Sequence, residues 1–289
     1  LTGTSNASEK SATAYKIEKQ LAEAHKTRIE RRNIKANYNK LAVSGLNKSQ
    51  PNIGWSKLLG HLGADADSVN VAQPAYYKKL NSMLTSVSLE DWKSYLRANI
   101  LTSYADILSE PFEKASFEYS KTISGQSTQE SRAQTMVKKV DRQLGFALGK
   151  LYVERYFNEE AKSRVLDLVN NLQKAFETRI DELDWMSDVT KVQAKEKLYA
   201  ITKKVGYPDV WREYNGVNID KDKYFENVVA LKQNDYQYNL DKLNQPPNRD
   251  AWGTTPSTVT AYYNPPLNEI VFPAGILQFP YFDLQADDA

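Results

Sequence analysis

The chain has 289 residues, with 38 basic and 36 acidic side chains, two histidines and no cysteine, so its net charge is +2. This length is enough for about two domains, and the charge balance argues against a broad nucleic-acid or anionic-membrane surface, which needs clustered Lys and Arg. The absence of cysteine excludes disulfides, thiolate zinc ligands and cysteine nucleophiles.

The two ends of the sequence do not resemble natural termini. Residue 1 is not Met, and the last residues follow directly on an apolar segment that contains proline. The start is polar and shows no signal-peptide pattern, and no run approaches the ~18 apolar residues that a membrane-spanning helix needs. We therefore expect the chain to be a piece of a longer protein, without a transmembrane segment of its own.

Proline is distributed unevenly and divides the chain near residue 205. Three of the eleven prolines, Pro51, Pro74 and Pro111, lie in the first two thirds, and the other eight lie from Pro208 onward. Proline is excluded from helix interiors. We therefore predict a helical domain over residues 1–204 and a second domain with turns and strands over residues 205–289.

Three segments of the first domain carry apolar residues at the 3.6-residue spacing of an amphipathic helix. Ser88 is predicted to be the N-cap of the first of these helices, and Ser187 and Asp188 are both candidate N-caps of the third. No period of 20–50 residues recurs, so we predict a non-repetitive helical bundle. The apolar positions are Leu89, Trp92, Leu96 and Ile100, then Val165, Leu168, Val169, Leu172, Phe176 and Ile180, and finally Val189, Val192, Leu198 and Ile201.

Two glycines in the helical domain, Gly145 and Gly149, lie four residues apart in the sequence L-G-F-A-L-G-K. This spacing is superficially similar to a phosphate-binding loop, but the upstream strand and the Gly-Lys-Ser/Thr ending are missing. We interpret the two glycines as small residues that allow two helices to approach each other.

The second domain contains the pattern of a β-hairpin. Val259, Ala261 and Tyr263 alternate with polar or half-polar neighbours, residues 264–268 form a proline-containing turn, and residues 269–272 form a second strand that ends at Pro273. The hairpin core is predicted to consist of Val259, Tyr263, Ile270 and Phe272.

Neither a metal site nor a nucleic-acid site is predicted from the residues. His25 and His61 have no second ligand at helical spacing, so they are interpreted as surface or structural histidines rather than zinc ligands. The basic run from Lys26 to Arg32 includes Glu30 and is predicted to lie on a helix. A face with internal salt bridges is therefore favoured over a nucleic-acid-binding surface.

One long segment resembles a known family. Residues 252–282 read W-G-T-T-P-S-T-V-T-A-Y-Y-N-P-P-L-N-E-I-V-F-P-A-G-I-L-Q-F-P-Y-F. This segment closely resembles the region upstream of the zinc site in neprilysin-type zinc endopeptidases, approximately W-x-M-x-P-x-x-V-N-A-F/Y-Y and then N-x-I-x-F-P-A-G-I-L. Segments along essentially the whole chain are similar to the family and occur in the family's order. Because it lacks cysteine, the chain resembles a bacterial, oligoendopeptidase-like member. Further similar segments are 31–33, 38–40, 147–153, 183–186, 201–208 and 222–227.

The resemblance implies a mostly α fold. A large helical lid lobe would be followed by the first, incomplete α+β portion, including the hairpin, of a thermolysin-like catalytic lobe. In the family, the two lobes enclose a cavity that admits small peptides. The zinc ligands and the general base come from an H-E-x-x-H helix and a later E-x-x-x-D helix, which would follow soon after residue 289. Zinc is thus expected in the complete enzyme, and this chain is expected to carry no catalytic residue and no metal ligand.

The resemblance also assigns the substrate-binding residues. The family's Asn-Ala pair, which holds the backbone of the peptide substrate, corresponds to Thr260 and Ala261, and Tyr262 is included because alternation places it on the same face as Thr260. A hydroxyl supplies one donor, whereas a carboxamide supplies two donors and one acceptor. Thr260 is therefore expected to weaken binding by about 1 kcal/mol, the value of one hydrogen bond. Thr254 also departs from the family, since Met is usual there.

Three hypotheses remain open from the sequence. The first is that the chain encloses and positions peptide substrates in a zinc metalloendopeptidase. In this hypothesis the chain is inactive alone and works with a missing C-terminal catalytic segment. The complete enzyme would be periplasmic, secreted or membrane-anchored. The second is a non-catalytic peptide-binding or helical scaffold protein. The third is one subunit of a two-chain protease. The reading frame beyond Ala289 distinguishes the first from the second.

Overall fold

The computed structural model describes residues 1–287, which are mostly α-helical, as predicted. This part of the chain forms eleven α-helices and five short strands, and the strands pair into two small sheets. Within it, no helix combines the length and the apolar character that crossing a membrane requires. The helices are α1 (Ala7–Ala22), α2 (Ile34–Asn37), α3 (Val43–Ser49), α4 (Trp55–His61), α5 (Pro74–Ser86), α6 (Leu89–Tyr104), α7 (Glu110–Ser124), α8 (Arg132–Tyr156), α9 (Glu159–Asp181), α10 (Asp188–Tyr199) and α11 (Tyr224–Leu240), and the strands are β1 (Lys40–Ala42), β2 (Ser68–Asn70), β3 (Thr202–Gly206), β4 (Tyr262–Asn264) and β5 (Glu269–Pro273).

The described chain divides into two compact units, and each unit contains several stretches of sequence. The predicted domain boundary between residues 204 and 205 stays a prediction. The first unit comprises Leu1–Gln129, Ile219–Val229 and Asp235–Pro246, and the second comprises Glu130–Asn218, Ala230–Asn234 and the chain from Pro247 onward.

One apolar cluster of the first unit joins helices α1, α5 and α6. Ile17 and Leu21 of α1 and Met83 of α5 are buried together, and Trp92 and Tyr95 of α6 pack against them. Burying such side chains is the main source of stability for helices of this length. The cluster therefore holds the three helices in one bundle.

A second cluster of the first unit lies beside the antiparallel pair β1–β2, in which Leu41 is opposite Val69. No sequence pattern predicts this pair, because three-residue strands contain too few positions to show alternation. The buried members of the cluster are Val43, Leu46, Trp55 and Val71.

Helix α6 confirms the predicted cap but not the predicted buried face. The Ser88 hydroxyl accepts a hydrogen bond from the backbone amide three residues later, at 3.2 Å. Of the predicted apolar positions, Trp92 packs into the bundle, whereas Leu89, Leu96 and Ile100 are exposed. The spacing predicts a helix, but the neighbouring helices determine which of its sides is covered.

The basic run after α1 is not helical as a whole. Helix α1 ends at Ala22, and the run from Lys26 to Arg32 contains only a short 3-10 helix, so the predicted helix over it is wrong. Lys26 Nζ donates to the Ala72 carbonyl at 2.8 Å and to Asn37 Oδ1 at 2.9 Å. This cation therefore holds local backbone and side-chain acceptors in place.

The second unit is built from long helices around a small sheet. Helix α8 is capped by Ser131, which forms a capping box with Gln134, and it is interrupted by a non-helical residue at Leu144. Helix α9 covers the predicted apolar stripe but buries only part of it. Val165, Val169 and Ile180 are buried, whereas Leu168, Leu172 and Phe176 are exposed.

The sheet of the second unit has the strand order β3, β5, β4. Its central strand β5 pairs antiparallel with β4 and parallel with β3, so that Val271 lies opposite Tyr262 on one side and Lys204 on the other. The predicted hairpin is present, although its first strand begins at Tyr262 rather than Val259. Strand β3 is not predicted, since a short apolar run after a helix does not by itself show strand periodicity.

Both faces of the central strand are covered. Glu269 and Val271 are buried on one face, and Ile270 and Phe272 pack on the other against a cluster that contains Val165, Val169 and Val205. The prediction of a core role is thus confirmed for Ile270 and Phe272. It is wrong for Val259 and Tyr263, which are 68% and 42% exposed because Val259 precedes the strand and Tyr263 lies on an edge strand.

Candidate functional site

The three predicted substrate-binding residues, Thr260, Ala261 and Tyr262, lie where the chain enters β4. Strand β4 is at the edge of its sheet, and no other described strand covers its outer side. Tyr262 is paired with Val271 of β5, and Ala261 is exposed. An edge strand presents unpaired backbone groups to which an extended peptide can add as a further strand.

One backbone donor just before the strand is already used within the chain. The Thr260 amide donates to the Thr258 carbonyl at 3.1 Å, so this N–H is already used within the chain. Thr260 can therefore offer a ligand its carbonyl and its side-chain hydroxyl. The methyl side chain of Ala261 leaves room for close approach of another backbone.

Tyr262 turns its hydroxyl towards the protein. The oxygen lies 3.2 Å from the position that a Cβ on Gly253 would occupy. Burial raises the pKa of the Tyr262 hydroxyl, the charge of Glu269 raises it further, and a hydrogen bond with the Gly253 backbone acts in the opposite direction. The hydroxyl thus belongs to the support of the strand, and a contact between Tyr262 and substrate stays a prediction.

A tight turn at Thr255–Thr258 leads into the candidate site. The Thr258 amide donates to the Thr255 carbonyl at 3.1 Å, and the hydroxyls of the same two residues are 2.8 Å apart. The Ser257 hydroxyl donates to Asp141 of α8 at 2.9 Å. The turn is therefore attached to α8 two residues before Val259.

The two glycines of L-G-F-A-L-G-K form the surface of α8 that receives this turn. A Cβ on Gly145 would lie 2.5 Å from Thr255 Cγ2, and a Cβ on Gly149 would lie 2.8 Å from Pro256 Cδ. The predicted approach of two helices is thus wrong, since the glycines allow a loop to approach the helix. The amide of Gly275 also donates to the Pro256 carbonyl of the turn, at 2.8 Å.

A buried ion pair forms hydrogen bonds with residues on either side of the candidate site. Lys204 Nζ is 2.6 Å from Glu269 Oε2, and the two side chains are only 5% and 3% exposed. Lys204 Nζ also donates to the Ala251 carbonyl at 2.7 Å, and Asn264 Nδ2 donates to the second Glu269 oxygen at 3.0 Å. No sequence pattern pairs the two charged residues, because 65 positions separate them and only the sheet brings them together.

The described residues 1–287 contain no group of three or more His, Asp or Glu side chains that could hold a metal ion. His25 stacks on Tyr76 with ring centroids 4.5 Å apart, and its Nδ1 is 3.2 Å from Gln73 Oε1. The interpretation of His25 as a structural histidine agrees with these contacts.

Comparison with known proteins places the sequence in one family. Models of Peptidase family M13 match residues 1–208 and 260–289. Neprilysin-3 of Drosophila melanogaster is 31% identical over 287 residues, which is 93% of this chain and 36% of that protein. Endothelin-converting enzyme 1 of Bos taurus is 31% identical over 276 residues, which is 90% of this chain and 36% of that protein.

Solved structures show the same relationship. The crystal structure of the Mycobacterium tuberculosis zinc metalloprotease Zmp1 with an inhibitor matches with a TM-score of 0.90 and 39% identity, over 97% of this chain and 43% of that one. PepO of Lactobacillus rhamnosis has the same fold, with a TM-score of 0.89 at 23% identity. The chain spans about two fifths of the length of these relatives. The resemblance seen in the sequence is confirmed, and the chain belongs to peptidase family M13.

Proposed function

We propose that this chain encloses and positions the substrate in a zinc-dependent metalloendopeptidase that hydrolyses small peptides. Its membership of peptidase family M13 and its similarity to a zinc metalloprotease support the proposal. The observation that carries it is the edge position of β4, which leaves the backbone around Ala261 available to an extended peptide. The helical domain predicted over residues 1–204 would cover the bound peptide.

In this proposal, the peptide adds to the edge of β4 through backbone hydrogen bonds. Ala261 permits close approach, and the Thr260 hydroxyl supplies one side-chain hydrogen bond where the family pattern has a carboxamide. Tyr262 would contribute through its backbone, since its hydroxyl is engaged near Gly253. The chain's own contribution is to hold the peptide in an extended conformation and in a defined register.

Zinc belongs to the complete enzyme in this proposal. The bound ion supplies a Lewis acid and an activated water for peptide hydrolysis. Residues 1–287 do not present a ligand set for it. We assign the zinc ligands and the general base to polypeptide outside these 289 residues, in the same or a separate chain. We expect this chain alone to be inactive.

We also propose partners and a location for the complete enzyme. Its partners are peptide substrates and the C-terminal catalytic segment, with no nucleic acid. The complete enzyme is expected to be periplasmic, secreted or anchored to the outside of a membrane, as the resemblance to neprilysin-type enzymes implies. Fractionation of the source cells, with detection of the intact polypeptide, tests the location.

The first experiment is to read the gene beyond codon 289 and then to compare two preparations. We expect an H-E-x-x-H helix downstream, and we expect the complete gene product to bind stoichiometric zinc and to cleave a quenched fluorescent peptide with sensitivity to phosphoramidon. The 289-residue chain, with its helical content checked by circular dichroism, is expected to do neither.

Other results of this experiment would favour a different function for the chain or contradict the proposed one. A stop codon near residue 289 together with absence of cleavage would favour the scaffold hypothesis. Activity that appears only when a second polypeptide is added would establish a two-chain protease. Stoichiometric zinc and phosphoramidon-sensitive cleavage by the 289-residue chain itself would contradict the proposal.

A further inference from the structure

The buried pair of Lys204 and Glu269 is not explained by stability alone. Taking two charges out of water is costly, and replacing a buried pair by apolar side chains is often neutral or stabilising. Such a pair is tolerated when its remaining hydrogen-bonding capacity is also satisfied. Here the Ala251 carbonyl and the Asn264 amide provide those additional partners.

These additional partners lie at the two ends of a single segment. Ala251 precedes the turn that leads into the candidate site, and Asn264 is the last residue of β4. Lys204 holds the first end through a backbone carbonyl, and Glu269 holds the second end through a side-chain amide. The one ion pair therefore fixes the start and the end of residues 251–264, which include Thr260 and Ala261.

The two ends of the segment are also linked to each other near the pair. The charge of Glu269 acts on the Tyr262 hydroxyl, and that hydroxyl contacts the backbone of Gly253. Residues 259–261 lie outside the strand pairs, so their path depends on the contacts on either side of them. Loss of the ion pair would remove the hydrogen bonds at both ends of the segment together.

We infer that Lys204 and Glu269 are positioning residues for peptide binding, which hold the edge of β4 and the residues before it in the conformation that accepts an extended peptide. This inference rests on the proposed function. Neither side chain contacts the peptide in this arrangement. The pair acts by reducing the conformational freedom that peptide binding would otherwise have to remove.

The test uses the complete gene product with both members of the pair replaced, Lys204→Met together with Glu269→Gln. These side chains keep nearly the same size, and the double replacement avoids leaving one charge buried and unpaired. The matched control is Lys195→Met with Asp181→Asn, which removes another Lys–carboxylate pair of the second unit, with a distance of 2.8 Å but with side chains that are 29% and 53% exposed.

Two measurements distinguish positioning from a general structural role. We expect KM for an extended peptide to rise about tenfold in the double variant, with kcat within about twofold of wild type, because the reacting groups lie elsewhere. We also expect hydrogen exchange at the amides of residues 258–262 to become at least tenfold faster, with the helix α9 amides unchanged. The control pair should alter neither.

The outcomes separate this inference from the proposed function. If the complete wild-type protein cleaves no peptide, the proposed function fails, and the exchange measurement still tests the positioning. A folded double variant with wild-type KM, or with unchanged exchange at residues 258–262, overturns the inference. Should the double variant not fold, the Asn264→Ala variant is tested instead. We expect its KM to rise two- to threefold. An unchanged KM in that variant would also overturn the inference.

Discussion

Gly206, the last residue of β3, lies directly against the ring of Phe157, and a Cβ added to Gly206 would overlap ring atom Cε1. Gly206 also has a φ of +73°, in the left-handed region that side chains other than glycine rarely adopt. Two independent constraints therefore require glycine in the V-G-Y-P sequence. The glycine allows the end of β3 to pack closely against the cluster that contains Phe157 and Val153.

The first prediction concerns Gly206→Ala. It should lower the free energy of unfolding by about 2–4 kcal/mol, because it combines an unfavourable φ with overpacking against Phe157. The matched control is Gly216→Ala, where φ is +78° but no atom lies within 4 Å of the added Cβ. The control should lose only about 1 kcal/mol. Urea unfolding measures both, and equal losses would show that the contact with Phe157 has no effect.

The second prediction concerns the glycines of α8. Gly149→Ala should lower the free energy of unfolding by about 1–3 kcal/mol, because the new methyl group would press on Pro256. Gly60→Ala, in helix α4, meets open space and should instead stabilise by about 0.5–1 kcal/mol. Thermal unfolding followed by circular dichroism compares the two. A stabilised Gly149→Ala variant would contradict the close approach of the turn to α8.

The third prediction concerns Tyr207, which follows Gly206. Burial raises the pKa of Tyr207 to about 12, and the hydrogen bond with Glu159 and the charges of Glu159 and Asp209 contribute to this rise. The ring stacks on Trp211 with centroids 5.9 Å apart. In the unfolded chain the hydroxyl has its ordinary pKa of 10. The folded state therefore holds this proton more tightly.

The sign of the effect on stability follows from linkage. The contribution of Tyr207 is fully present below pH 10 and is lost as the pH rises through about 12. Tyr207→Phe should therefore remove part of the fall in stability between these two values. The measurement is urea unfolding at a series of pH values, together with tyrosinate absorbance. If wild type and variant lose stability in parallel, the raised pKa is wrong.

The fourth prediction concerns Thr260. In the complete gene product, Thr260→Asn should lower KM about fivefold, since one additional hydrogen bond to the peptide is worth about 1 kcal/mol. Val259→Asn is the matched control, because it adds the same amide at the neighbouring exposed position. Initial-rate kinetics on an extended peptide measure both variants. An equal change in the two would indicate a nonspecific effect, and no change in either would argue against Thr260 as a substrate-binding residue.

Features that depend on neighbouring residues along the chain could be predicted from the sequence. The cap at Ser88, the helix over residues 165–180 and the hairpin around the Pro265–Pro266 turn are confirmed, since spacing and turn chemistry act over a few residues. The family was also recognisable, because the motif at residues 252–282 is long. These features determine which elements form, and in which order.

Only the tertiary structure decided which surfaces of those elements meet. Lys204 and Glu269 become partners through the parallel pairing of β3 with β5, and Gly149 receives Pro256 through a loop that is distant in sequence. Leu168, by contrast, has the spacing of a buried residue and is exposed. The sequence of one element shows its periodicity. Burial and ion pairing depend instead on contacts between residues far apart in the chain, and those contacts form only when the fold brings the residues together.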